Sequence, residues 1–524
     1  MSAEDSATSS ETARAVVVAT LASPPPADAG ERRALLARVR EAAEVLEVRA
    51  DLVGDLDPGE LRRDFSGRLL YTLRSRAEGG AFDGSPERRH QRIAAAASAG
   101  EGNAAGYDYL DLEADRDLVP AVLDRVAPER RVVSWHGPPA ELPELERRFA
   151  TLSAVPARLY KMVVFATQPA ETVVPLVLAA TLRRRDLVAF AAGRVGTWTR
   201  LVAPRLGAAV VYGAAGADAA GAPGQLTVEE LARDYGLPAL PTVERLYGVV
   251  GNPTVGTSLS PRLHNGAYRA LGVPALYVPF EAEAFSDFWL DLVESDHFAR
   301  LGLPLGGLSV TSPFKRSATA VAGALSPLVE SIDSANTLVV HDGVWEAEST
   351  DAAGVVGSLA EAGFAVAGRR AVVVGAGGAG RAAAFGLAQA GARVAIANRG
   401  PERGVRAAEA LGLPYVPLAD LDPADHELLV HATPLGRSVD DGPPFDVGRL
   451  PAGAAVVDMV YGGEPTPLIE AARRRGLLAV DGRAVLLHQA LDQFRLMTGR
   501  ELPAALGREL LGLAAAAPVG ETAR

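Results

Sequence analysis

The sequence predicts an α/β protein in two parts, a (β/α)8 barrel followed by a two-lobed α/β unit whose second lobe is a Rossmann nucleotide-binding fold. Three observations carry this. Eight short β-rich runs alternate with amphipathic stretches over residues 14–236, which is the strand count of such a barrel. The segment GLPALPTVERL (236–246) breaks the alternation. A strand–glycine turn–helix–strand pattern, RRAVVVGAGGAGRAAAFGLAQAGARVAIANR, then occupies 369–399.

The eight runs are RAVVVATLA (14–22), VLEVRADL (45–52), RLLYTLRS (68–75), YDYLDLE (107–113), RRVVSWHG (130–137), LYKMVVFA (159–166), LVAFAAG (187–193) and AAVVYGAA (208–215). Between them, segments such as ERRALLARVREAAE and SPERRHQRIAAAASAG place apolar residues three and four apart, as a half-buried helix requires. Counting alone leaves an open doubly wound sheet as the competing arrangement. After the linker, YGVVGNP, ALYVPFEA and GGLSVTSP alternate with helical stretches to form a small lobe. ELLVHATP and AAVVDMVY add strands to the nucleotide lobe, and DGRAVLLHQALDQFRLMTG begins a helical end. The expected boundaries are a loose tail at 1–13, the barrel at 14–236, a linker at 237–246, a substrate lobe at 247–350 plus 485–512, the Rossmann lobe at 351–484 and a tail at 513–524. The Gly-rich AGEGNAAG (99–106) reads as a loop extension.

Composition narrows the function. Apolar residues make up 48% of the 524 and charged residues 22%, so this is a folded, multidomain chain. A net charge of −12 argues against a nucleic-acid or anionic-membrane partner. With no cysteine there is no disulfide, thiolate nucleophile or thiolate-bound metal, and no metal site is expected. No run approaches a membrane span, and the polar, acidic start does not read as a signal peptide. A soluble, cytoplasmic protein acting on small molecules is expected; oligomeric state is not legible.

Of 52 basic residues only Lys161 and Lys315 are lysines. Arginine supplies surface charge equally well, but only an amine can lose its proton or form an imine. The two lysines therefore direct attention to their surroundings.

Barrel chemistry sits at the C-terminal strand ends. There the sequence offers Glu47, Arg49, Arg74, Asp111, Glu113, His136 and Lys161, with Arg200 and Gln225 beyond the last two strands. Lys161 lies in an apolar run whose burial depresses its pKa, and a neutral amine attacks a ketone to give an electron-withdrawing imine. His136 suits proton transfer, with Asp111 or Glu113 to hold its ring. Arg49, Arg74 and Arg200 suit a small acidic substrate. These residues alone leave a Schiff-base aldolase and a dehydratase both open, and ordinary barrel ion pairs remain a reading of the Arg–acid pairs.

In the second part, Gly375, Gly377 and Gly380 fall at GxGxxG spacing between a strand and a helix, within Gly375, Ala376, Gly377, Gly378, Ala379 and Gly380. This turn brings a pyrophosphate to a helix N-terminus. The next strand ends in Asn398 and Arg399, with Arg403 following, where NAD sites carry an acid; the arginines suit a 2′-phosphate and therefore NADP(H). In the small lobe, Ser258, Ser260, Thr311 and Asn336 suit a polyol, and Lys315 with Asp351 makes a candidate proton-transfer pair. Ser-Leu-Ser-Pro also reads as a plain helix cap, and so does Asp351.

The runs VLEVRAD, TLRSRAEGG, DYLDLE, VVSWHG, YKMVV and APGQ resemble, in order, type I 3-dehydroquinate dehydratases across nearly the whole barrel. The resemblance implies Lys161 as the imine-forming lysine, His136 as general acid/base supported by Asp111, and Glu47, Arg49, Arg74, Glu78, Arg200 and Gln225 as substrate-pocket residues. Gly221 stands where that family has a serine. GNPTVGTSLSPRLHN, SVTSPFK, SANT, STD, HATPLG, VVDMVYGGEPTPL and DGRAVLLHQALDQF resemble shikimate dehydrogenases over about 246–512. That resemblance implies Lys315 and Asp351 as the catalytic pair and Ser258, Ser260, Thr311, Asn336, Tyr461 and Gln489 as substrate ligands. It also implies Met459 and Gly482 beside the nicotinamide. Ser309, Ser349 and His431 replace asparagines of that family, and Gly400 replaces a threonine. Together the two resemblances imply consecutive conversion of 3-dehydroquinate to 3-dehydroshikimate and, with NADPH, to shikimate. An NAD-dependent quinate/shikimate catabolic dehydrogenase and a non-catalytic metabolite sensor are the alternatives.

Overall fold

A computed structural model of the chain describes residues 13–98, 106–217, 221–436, 445–462 and 465–514. The two expected tails, apart from residues 13, 513 and 514, and the loop at 99–106, apart from Gly106, lie outside the described residues.

All eight barrel strands form, at Val16–Leu21, Val45–Arg49, Arg68–Thr72, Tyr109–Glu113, Arg131–Gly137, Leu159–Phe165, Leu187–Ala192 and Val210–Ala214. Parallel ladders join each of the first six to the next, and the eighth pairs back onto the first. Among the described residues no ladder joins the seventh strand to the eighth, so the barrel is nearly rather than fully closed. The alternation of strand side chains decides what each residue does. Outward-facing Tyr160, Met162 and Val164 pack with Val133, Trp135, Leu145, Phe149 and Leu178 under the surrounding helices, each large buried side chain contributing about 1.5–3 kcal/mol. That fixes the intervening Lys161 to the barrel interior, level with Ser134 and Val188 of its neighbours. Within the expected linker, Ala239–Leu240 pairs antiparallel with Ala13–Arg14, two residues being too short a strand for periodicity to reveal.

The chain divides into two compact units. One comprises residues 1–246, 253–256 and 268–305, so that 268–305, expected in the substrate lobe, clusters with the barrel. The other comprises 247–252, 257–267 and 306–524. In this second unit Leu305–Val310 pairs antiparallel with Thr337–His341, which pairs with Val344–Glu348. Six parallel strands then lie in the order Tyr415–Pro417, Arg393–Asn398, Arg370–Val374, Leu428–His431, Ala455–Asp458 and Leu478–Val480. Numbered along the chain this is 3-2-1-4-5-6, the doubly wound dinucleotide-binding order, whose crevice opens between strands one and four. Its strands are continuous apolar runs because both faces are covered by helices. Among the described residues no helix is long and apolar enough to cross a membrane.

Candidate active sites

Lys161 is 6% exposed in the sixth barrel strand. Its Nζ stands 4.0 Å from Glu47 Oε1 and 4.0 Å from the ring centre of Tyr212. Burial holds its amine below the usual lysine range, Glu47 and Asp111 oppose that, and Arg74 and Arg49 add to it. Glu47 is fixed by the hydroxyls of Thr20 and Thr72, which donate to its two oxygens at 2.7 and 2.8 Å.

His136 is the penultimate residue of the fifth strand, and its Nδ1 lies 3.0 Å from Glu78 Oε2. The expectation that Asp111 or Glu113 holds the ring is corrected here. Asp111 accepts from Arg74 at 2.9 Å and Ser134 at 2.6 Å, and Glu113 accepts from the backbone and hydroxyl of Ser75 at 2.7 Å each. Glu78 comes from a short 3-10 turn, Arg76–Glu78, that follows the third strand and carries its carboxylate over the barrel mouth. Burial pushes the imidazole well below its ordinary value, with Arg74, Lys161, Arg49 and Arg200 adding to the effect. Burial raises the Glu78 carboxyl, aided by Glu113 and Asp111 and opposed by Arg74 and Arg116. The pair is thus set up to hold and return one proton with the ring neutral at rest.

The three arginines separate into two kinds. Arg74 is saturated by Glu78, Glu113, Asp111 and Ser134, and Arg49 forks onto Asp51 at 2.9 and 2.8 Å. Arg200 instead lies over the Phe190 ring at 4.4 Å, with its Nε unpartnered among the described residues. Burial lowers it to about 10, with Glu47 opposing. Of the three it is the one the described carboxylates leave without an ion pair. Gln225 closes the pocket, accepting from Gly221 N at 2.8 Å and donating to Thr20 at 3.1 Å. A side chain at 221 would bring its Cβ within 2.9 Å of Thr20 Cγ2, so the pocket is packed around glycine. Tyr212, beneath Lys161, was not singled out in the sequence, although its place two residues into the eighth strand faces it inward.

In the second unit Lys315 Nζ donates to Asp351 Oδ2 at 2.5 Å. Asp351 is 2% exposed, and its other oxygen accepts from Gln489 at 2.7 Å and Asn336 at 3.3 Å. Asn336 is itself locked by Thr350 N, which donates to it at 2.9 Å. Ser258 Oγ accepts from Ser260 N at 3.2 Å, the cap geometry. Thr311 N donates to Val250 O at 3.1 Å, and Tyr461 is half-buried after the strand Ala455–Asp458. Ser309, at one of the departures, donates to Gln493 at 3.1 Å.

A cavity of about 970 Å3 opens at the crevice of the six-stranded sheet, lined by Gly375–Ala379, Asn398, Arg399 and Arg403 and reached by Lys315. Gly375 has φ +119°, a region open to glycine. Gly377 caps the helix Gly378–Gln389 without a side chain, leaving its first N–H groups clear. A Cβ on Gly380 would overlap the Gly375 carbonyl, so helix and strand meet there without one. Asn398 braces the turn, accepting from Ala376 N at 3.2 Å. Arg316, Arg381 and Arg406 also line the cavity, each beside a residue already expected there, Lys315, Gly380 and Arg403. A glycine cradle, clear helix N–H groups and converging guanidiniums fit a dinucleotide carrying an extra phosphate. Gly380, Met459 and Gly482 are not among the lining residues; Met459 packs against the sheet core.

The type I 3-dehydroquinase family matches residues 26–239, and the shikimate dehydrogenase substrate binding domain matches 249–338. An archaeal shikimate dehydrogenase (NADP(+)) from Halobacterium salinarum is 40% identical over 272 residues, 51% of this chain and 98% of that protein. The chain belongs to the shikimate dehydrogenase family. Its barrel is a type I 3-dehydroquinase domain, and the same pairing occurs in the bifunctional 3-dehydroquinate dehydratase/shikimate dehydrogenase of Arabidopsis thaliana, 27% identical over 88% of this chain and 78% of that one. The crystallised shikimate 5-dehydrogenase of Thermus thermophilus aligns over 51% of this chain and 98% of its own, at 32% identity and TM-score 0.46. An FAD binding domain model also matches 370–441. That segment is the strand–glycine turn–helix–strand unit which FAD and nicotinamide sites share.

Proposed function

We propose that this bifunctional shikimate-pathway enzyme performs its two reactions at Lys161 with His136 and at Lys315 with Asp351. In the barrel, neutral Lys161 condenses with the ketone of 3-dehydroquinate, losing water to form an imine. The cationic imine draws electrons from the adjacent carbon, and His136 takes the proton there and returns it to the neighbouring hydroxyl, which leaves as water. Hydrolysis of the imine returns the lysine and releases 3-dehydroshikimate. Glu78 orients the imidazole through Nδ1, and Arg200 binds the carboxylate.

In the second unit, the cavity at Gly375–Ala379 would hold NADPH, whose chemistry when bound would be hydride donation to a ketone. Lys315 and Asp351 deliver the accompanying proton to the nascent alkoxide, giving shikimate, and Gln489 and Asn336 hold Asp351 in place. Gly375, Gly377 and the first turn of the helix Gly378–Gln389 would cradle the pyrophosphate, and Arg399 and Arg403 would take the 2′-phosphate. The arginines, and no acid, at that strand end favour NADP(H) over NAD.

The observation that carries the proposal is that the chain's two lysines both stand beside a carboxylate in a chemically equipped pocket. Two assays test it on the whole enzyme: formation of the conjugated enone from 3-dehydroquinate, and NADPH consumption with 3-dehydroshikimate. Lys161→Met abolishes only the first and Lys315→Met cripples only the second; loss of both, or neither, in either variant contradicts the assignment.

A further inference from the structure

The barrel has a second opening. Side chains late in the strands (Thr20, Glu47, Thr72, His136, Lys161) line the reaction pocket, while those at the strand starts line a separate cavity of about 820 Å3 at the opposite end. Barrel interiors are ordinarily filled by stacked layers of bulky side chains. Here the lower layer of Val18, Val45, Leu70, Val132 and Leu159 leaves room beneath Tyr212, the one residue that lines both spaces among those described.

The floor is apolar and the rim is cationic. Arg40, Arg62, Arg68, Arg158 and Arg185 surround the opening, against only Glu44 and Asp186. Both carboxylates are already paired, Glu44 with Arg14 and Asp186 with Arg184, and Arg62 is paired with Asp108. Among the described residues, Arg40, Arg68, Arg158 and Arg185 have no carboxylate within ion-pair distance. Arg68 bonds the Tyr109 hydroxyl, and Arg158 lies over that ring at 5.3 Å. Four convergent guanidiniums over an apolar floor, in a chain of net charge −12, concentrate positive potential where a ligand can enter.

We propose that this cavity binds an organic anion with a flat apolar body. Its carboxylate would meet the exposed guanidiniums of Arg158 and Arg185, and its ring would lie on the valine–leucine floor against Tyr212. The site shares no charged group with either reaction pocket, Tyr212 being the one residue it has in common with the barrel pocket among those described.

Titration calorimetry of the full-length enzyme with 2-naphthoate, under saturating NADP+, tests this. The expected result is one equivalent bound, with affinity about tenfold weaker or less for neutral 2-naphthamide and for the variant carrying both Arg158→Gln and Arg185→Gln. Both arginines are exposed, and circular dichroism with an unchanged melting midpoint shows that the variant is folded. No binding to the wild-type enzyme, or equal binding to the folded double variant, overturns the proposal.

Discussion

Glu78 Oε2 accepts from the backbone N of His136 at 3.1 Å and lies 3.0 Å from the Nδ1 of the same residue. One carboxylate oxygen therefore fixes both the strand end and the ring, aiming Nε2 away from it. Arg74 shares that oxygen at 3.0 Å, so the carboxylate is held as firmly as the ring it holds.

Replacing Glu78 by Gln keeps the shape and removes the group that shares a proton with the imidazole. The expected outcome is a fall in dehydratase kcat of about ten- to hundredfold, less than the full contribution of general acid–base catalysis because His136 itself remains. Substrate KM changes little, and NADPH-dependent reduction in the same sample is untouched. Steady-state assays of both reactions on the one variant check this.

The amine of Lys161 is lowered by burial, and Glu47 acts against that lowering. Imine formation needs the neutral amine, so its rate rises with pH through the lowered lysine pKa. Glu47→Gln removes the opposing charge, and the rising limb of adduct formation moves to lower pH. A move to higher pH contradicts the electrostatic account.

On the proposed assignment, cofactor choice rests on the guanidiniums at the cavity. Arg399→Gln with Arg403→Gln is expected to raise KM for NADPH about tenfold or more while leaving KM for NADH nearly constant, the loss belonging to charge-assisted bonds to the 2′-phosphate. Parallel loss with both cofactors would mean that these side chains do not read the 2′-phosphate.

Buried His264 is lowered by desolvation to about 3, so the folded ring stays neutral where the unfolded one, near 6.5, takes a proton. The unfolded state then binds more protons, and stability falls as the pH drops from 6.5 toward 3, by at most about 1.4 kcal/mol per pH unit. Above 6.5 this contribution is complete. Urea unfolding at pH 7 and pH 5 checks it: His264→Gln loses part of the pH slope whatever it does to stability at pH 7.

What was legible in the sequence follows from range. The eight barrel strands declare themselves because alternation within five to seven residues is local, and Lys161 faces inward for the same reason. The glycine turn is legible because its conformation needs glycine at 375. The open seam between Leu187–Ala192 and Val210–Ala214 depends on pairing across the closing barrel, which no local pattern encodes. Glu78 was placed in the pocket by resemblance, but its hold on His136 arises from residues 58 apart in the chain. Likewise nothing near Arg74 announces that three distant groups join Glu78 on its donors, while Arg200 keeps an unpartnered Nε among the described residues.

The most direct test of the central claim is borohydride reduction of the enzyme with 3-dehydroquinate, followed by intact mass and peptide mapping. The account predicts one substrate-derived adduct per chain, on Lys161 and lost in Lys161→Met. A folded enzyme that gives no adduct, or an adduct on Lys315 instead, contradicts it.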